Sequence, residues 1–434
     1  MLSVVATETS TLTFLSIPGV AYLGNLGFLQ LTVGYLIGRV VISVTLLPAY
    51  YRGELNTAYA LLETRFGTGA RRFTSAVFML TRLLADSVRL FATAIPLALI
   101  TGWTYPLSIA VIGVLTLVYT YFGGIRAVVW VDALQMGLYL MGAAATLAVL
   151  HLVVQGGWGE IAQSASAADK LAWLNTSLDF SAPYTIWAGV IGGAFLAMAS
   201  HGTDQLIVQR LLTCRDLRSS QKALIGSGVL VLVQFALFLL VGIGLWAFYE
   251  GREFQIPDEI FATFMIQELP PGLSGLLIAG VFAAAMSSLS SSINSLASAS
   301  AYDFWAPIAK CEHDEMRILR AGRSFTLVWA FLLVSVAIAY VPMSDDATAV
   351  EVALTIASLV YGGLLGAFFL GIVDPRATGK GVVVGMISGV GVVTAIWVQA
   401  SASVGWPWFV PIGLVITVLI GGLTSRVSGG FLGG

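Results

Sequence analysis

The sequence predicts an all-α integral membrane protein of about twelve transmembrane helices in one bundle. Three observations carry that prediction. Charge is scarce: 21 Lys+Arg and 23 Asp+Glu make 10% of 434 residues, where a soluble domain carries about 25%. The apolar runs are about 20 residues long, the length a helix needs to cross hydrocarbon, without the two-residue alternation of barrel strands. The positive charges fall on alternate connections, as in a chain that crosses a bilayer repeatedly. With 58% hydrophobic residues, a mean hydropathy of +0.90 and a net charge of −2, an ordinary soluble enzyme, a disordered chain and a nucleic-acid binder are excluded. Two cysteines cannot build a disulfide framework.

The apolar segments lie near 1–21, 26–49, 73–101, 105–122, 127–155, 185–209, 221–249, 272–301, 324–342, 347–372, 380–401 and 406–424. Short surface helices are expected in the gaps 156–184 and 302–323. With the N-terminus inside, the inner connections carry 16 Lys+Arg and the outer ones only Lys170 and Arg252; Arg39, Arg82 and Arg89 lie within spans. That split places the C-terminus in the cytoplasm of a cell (inner or plasma) membrane.

Each element adds a feature. The first span, SVVATETSTLTFLSIPG, is polar for a membrane helix, and Ile17-Pro18-Gly19 is expected to break it. The third span sets Arg82, Asp86 and Arg89 at i, i+4, i+7 on one face. The fifth holds Asp132. The sixth is weak at Gly192-Gly193 and at Ala199-Ser200-His201-Gly202, matching the first as broken transporter helices do. The eighth carries a stripe of Ser287, Ser291, Asn294, Ser295 and Ser298, widened by Ser288, Ser290 and Ser292. Oxygen ligands of this kind suit a hard cation; the same stripe also suits close helix packing. Trp406 and Trp408 fit interface anchors. His151, His201 and His313 are too scattered for a zinc motif.

Seven charges lie in spans more than four residues from either end: Glu8, Arg39, Arg82, Asp86, Arg89, Asp132 and Asp204. Each costs about 2.5–3.5 kcal/mol at a helix centre. Two readings stay open for them, an internal ion-pair network that only holds helices together and a polar path for a solute or ion.

Five blocks, in order, resemble the sodium:solute symporter family. They are ATETSTLTFLSIPG (6–19), ELNTAYALLETRFG (54–67), YTYFGGIRAVVWVDALQ (119–135), GTDQLIVQRLLTCRD (202–216) and AAAMSSLSSSINSLASASAYD (283–303). The resemblance implies a leucine-transporter-type fold. Its inverted five-helix repeats would span 1–155 and 185–372, with two extra helices at 380–424. It implies sodium-coupled symport of a small organic solute by alternating access, and no enzymatic activity. The alternative is a solute sensor or regulatory subunit with the same fold. The partners implied are solute, sodium ions and the lipid bilayer; no nucleic acid and no obligatory protein partner is indicated.

Carried over by position, the resemblance puts a first sodium site at Ala6, Thr9, Ala284, Ser287 and Ser288. A possible second site is Asp132 with Ser290 and Ser291, and Glu8 is a sodium-linked acid. The solute would lie near Ser10, Thr13 and Phe28, with Arg82 and Arg89 as readers of a carboxylate or zwitterion. Ala197 and Ser200 replace the asparagine and aromatic gate of sugar-transporting members, which argues against a sugar. The family pattern has one further helix before the first core helix, and here Ala6 is only the sixth residue. A short member, a fragment or a mis-assigned start would each account for that.

Overall fold

The structure, a computed structural model, describes residues 10–52, 58–122, 128–212, 214–311, 314–344 and 347–430. Its main helices are α1 (Thr11–Leu23), α2 (Phe28–Val44), α3 (Leu46–Arg52), α4 (Ala58–Thr101, kinked at Gly67), α5 (Tyr105–Phe122) and α6 (Val128–Val153). They continue as α7 (Gly157–Ala167), α8 (Gly193–Gly202), α9 (Gln205–Leu212), α10 (Leu217–Phe248), α11 (Glu259–Gln267) and α12 (Pro271–Ala299). The last four are α13 (Glu315–Tyr340), α14 (Ala349–Val373), α15 (Gly379–Ala400) and α16 (Phe409–Gly430). Among the described residues nine helices are long and apolar enough to cross a membrane. Three shorter apolar helices, Thr11–Leu23, Tyr105–Tyr121 and Ala188–Gly202, occupy the first, fourth and sixth predicted spans. The chain is a multi-pass membrane protein.

Local chemistry explains where helices begin after a connection. Asp216 accepts the Ser219 N–H (2.7 Å), Asp314 the Arg317 N–H (3.0 Å) and Thr378 the Gly381 N–H (3.2 Å). Each side chain satisfies a first-turn donor that has no partner within the helix. All three caps lie at the arginine-rich end. At the arginine-poor end Lys170 Nζ donates to the carbonyls of Tyr22 (2.7 Å) and Leu23 (3.1 Å), a cation on the negative pole of α1.

The two expected breaks differ from the sequence reading in position. Pro18 lies inside α1, which runs unbroken from Thr11 to Leu23. The missing N–H removes one rung without stopping the helix, which is enclosed by its neighbours: Thr11 to Tyr22 are all buried, and a Cβ at Gly242 of α10 would stand 2.1 Å from the Pro18 carbonyl oxygen. The chain is extended one residue before α1, at Ser10 (φ −91°, ψ 168°). The sixth span enters through a π turn, Ala188–Gly192, that gives way to α8 at the Gly192-Gly193 junction. It then stops at Gly202, with Thr203 non-helical (φ −127°), and resumes as α9 at Gln205. Single-turn π segments are enriched at functional sites.

The helices form two packed groups. One joins α1, α2, α8 and α10; the other joins α4, α5, α12 and α13, with α14 lying along α4. Within the first group α2 meets the sixth span by close backbone approach. A Cβ on Gly34 would lie 2.5 Å from the Gly189 carbonyl oxygen, and one on Gly38 would lie 2.2 Å from that of Ala194. This is the small-residue interface of membrane helices, which replaces a hydrophobic driving force with backbone contact.

Candidate functional site: a polar path along the eighth span

The two groups meet where the start of α1 lies on α12. The Thr11 hydroxyl donates to the Val281 carbonyl at 3.4 Å. Ala284 lies about one turn further along α12 and is buried, as is Ser287; Ser288 is half-buried. The α12 half of the first predicted sodium site is therefore assembled beside the start of α1. Ala6, Glu8 and Thr9 lie outside the described residues.

The second predicted site uses α6 and α12. These helices run antiparallel: Gly142 meets Leu277 and Leu138 meets Gly280. Continuing that register brings the Asp132 backbone level with Ser287, about one turn from Ser290 and Ser291. Ser290 is buried and Ser291 half-buried. The Asp132 side chain lies outside the described atoms.

The third-span charges converge on one carboxylate. Asp86 is fully buried. Arg89 Nη1 donates to its Oδ1, Arg82 Nη1 lies 3.8 Å from the same oxygen, and the Ser292 hydroxyl of α12 donates to Oδ2. The i, i+4, i+7 spacing thus reports one ionic cluster, joined to the serine stripe through Ser292. Arg89 Nε is buried and lacks a hydrogen-bond partner among the described residues. A guanidinium offers five donors, and a carboxylate shared with Ser292 and a second arginine does not use them all.

Ser10 and Thr13 are buried at the start of α1. Phe28 is fully buried elsewhere in the first group, stacked on Phe235 (5.3 Å between centroids, 8° between planes) and tilted against Tyr184. The described contacts tie Phe28 to α10 and the arginines to α12. They do not join these five residues in one cluster. Of the remaining in-span charges, Arg39 is fully buried and donates to Ser227 of α10 (3.0 Å). Asp204, at the interruption of the sixth span, accepts the Tyr361 hydroxyl of α14 (3.2 Å). His201 Nδ1 lies 3.1 Å from the Ala197 carbonyl oxygen, consistent with a structural role.

Sequence reasoning passed over Tyr139 and Tyr361, and named Ser292 only as part of the stripe. Tyr139 stacks on Phe14 (4.4 Å, 20°) behind the start of α1. Tyr361 bridges α14 to the sixth-span break. The only advance signal for either tyrosine was a phenol in an apolar run, which equally fits packing.

A membrane-embedded helical bundle with an interrupted sixth span, and with buried hydroxyls and charges where two packed groups meet, fits the leucine-transporter-type fold. The family model described as the sodium:solute symporter family matches residues 1–389, and the chain belongs to that family. It is 30% identical to a sodium/sialic acid symporter, NanT, of Aliivibrio fischeri, over 98% of this chain and 84% of that protein. It is 28% identical to sodium-coupled monocarboxylate transporter 1 of Xenopus laevis, over 94% of this chain and 65% of that one. A solved structure of a sodium-coupled sialic acid symporter, in a substrate-bound outward-open state with a novel sodium site, superposes with a TM-score of 0.84. Its identity is 28%, covering 98% of this chain and 89% of that one. The nucleobase-cation symporter Mhp1 superposes at 0.55 with 14% identity, a likeness of fold alone. The protein is a sodium-coupled symporter of a small organic solute, and it is not an enzyme.

Proposed function

We propose that the solute is a small organic carboxylate, recognised through the Arg82–Asp86–Arg89 cluster and driven by sodium held between α1 and α12. The observation that carries the carboxylate is Arg89 Nε, buried without an acceptor among the described residues, beside a carboxylate already shared. Bidentate pairing to a guanidinium is the strong geometry for such a ligand. The names of the relatives support the class, since sialic acid and monocarboxylates both carry a carboxylate. Sodium would take the carbonyls of Ala6, Thr9 and Ala284 with the hydroxyls of Ser287 and Ser288. A second ion would take Asp132, Ser290 and Ser291, and Glu8 would add negative charge near the first. Ser10, Thr13 and Phe28 would line the solute's side of α1 and α2.

The two halves, 1–155 and 185–372, each hold five spans, and the first begins at the arginine-rich end whereas the second begins at the opposite end. That arrangement supports an inverted repeat followed by two extra helices at 380–424. We read the arginine-rich end, with the C-terminus, as cytoplasmic in a cell membrane. Uptake of sialic acid and of short monocarboxylates into proteoliposomes, with an inward sodium gradient, tests the solute class. Arg89→Gln and Arg82→Gln are expected to cut carboxylate uptake by at least tenfold. Unchanged carboxylate uptake in both variants overturns recognition by the arginine cluster, and no uptake of any carboxylate tested overturns the solute class.

A further inference from the structure

Asp258 lies in the loop that precedes α11, at the arginine-poor end, and is 1% exposed. Its Oδ2 accepts the backbone N–H of Ala349, at the start of α14, at 2.8 Å. Its Oδ1 is buried with no close hydrogen-bond donor among the described residues. The Ser16 hydroxyl of α1 lies beside the carboxylate and favours its charged form. One residue earlier, the Pro257 carbonyl oxygen rests on α1, 3.1 Å from where a Cβ of Gly19 would stand. One carboxyl group therefore sits where the loop, α1 of one packed group and α14 beside the other come together. An ionised carboxylate held out of water by so few donors is poorly accommodated there, whereas a neutral carboxyl carries no charge to desolvate.

We propose that Asp258 is a proton-operated latch on this end of the transporter, neutral when the loop is seated on α1 and α14 and ionised when the loop lifts into water. Burial pushes its pKa up to about 6, against the Ser16 hydroxyl and the Ala349 N–H, which favour the charged form, and the nearby Glu351 carboxylate adds to the rise. The titratable groups that face it are Glu351 from α14, Tyr340 from α13 and Tyr105 from α5. On its own element Glu259 accepts the Tyr105 hydroxyl. α1 faces it with Ser16, α4 stands behind the tyrosines with Phe91, and α10 meets α11 through Phe248 on Phe264.

The sign follows from linkage. In water the carboxyl titrates near 3.9. A proton therefore favours the seated loop, fully below that value and progressively less as pH rises through about 6, with a ceiling of about 100-fold in the closed-to-open ratio. The inference rests on the transport fold and not on the identity of the solute.

Hydrogen exchange of the α11 amides, on the full chain in lipid, reads the latch directly. The ratio of exchange rates between wild type and Asp258→Asn at each pH cancels the chemistry of exchange itself. That ratio is expected to rise by about tenfold from pH 5 to pH 8, with a midpoint near 6. A flat ratio overturns the proposal. Should Asp258→Asn not fold, wild type corrected for intrinsic exchange carries the same inflexion and Asp258→Glu retains it; a profile without one overturns the proposal equally. Carboxylate uptake is a separate measurement, so failure here leaves the solute reading standing.

Discussion

Ser288 and Asp86 illustrate how one side chain acquires a role from its neighbours. Ser288 is one hydroxyl in a stripe that could serve packing or a cation. Its value as a sodium ligand depends on α1 meeting α12 about two turns away, through Thr11 and Val281. Ser288→Ala removes one oxygen from the proposed sodium shell. It is expected to raise the half-saturating sodium concentration roughly tenfold, the equivalent of about 1.4 kcal/mol. Sodium-dependent uptake at saturating solute checks this, and an unchanged sodium dependence would remove Ser288 from the site. Asp86 was legible as an in-span charge sharing a face with two arginines. That it also holds Ser292 was not legible, because the partner lies 206 residues away in sequence.

At the scale of elements, the spans were readable because each is long, apolar and bounded by polar connections. The breaks were readable as weaknesses but not as positions. Pro18 suggested an interruption, yet α1 runs through it, buried from Thr11 to Tyr22. A proline signals a lost donor; whether the helix gives way depends on what surrounds it. The α2–α8 contact makes a similar point with glycine. Gly38→Val is expected to force α2 and α8 apart, since even a Cβ would stand 2.2 Å from the Ala194 carbonyl oxygen. Overpacking of this kind costs about 1–3 kcal/mol, so the thermal unfolding midpoint in detergent should fall. Gly391, where nothing lies within 4 Å of an added Cβ, is the comparison, and Gly391→Ala should leave the midpoint nearly unchanged.

For the molecule as a whole, orientation is set by charge and checked by access. Arg252 and Arg320 are both exposed, at opposite ends. In a background without Cys214 and Cys311, a membrane-impermeant thiol reagent applied to intact cells should label Arg252→Cys and spare Arg320→Cys. The reverse pattern would invert the topology. The sequence by itself determined the class: 44 charges in 434 residues cannot coat a soluble globule, and the asymmetry of the cationic ones orders the crossings. Its five family-like blocks also determined the transport chemistry to expect, since motifs are local and survive being read one segment at a time. Tertiary structure alone decided which charges meet. Asp86 with Ser292, Asp204 with Tyr361 and Asp258 with Ala349 are contacts between helices far apart in the chain. A buried carboxylate is defined by the partners and the water around it, and packing fixes both.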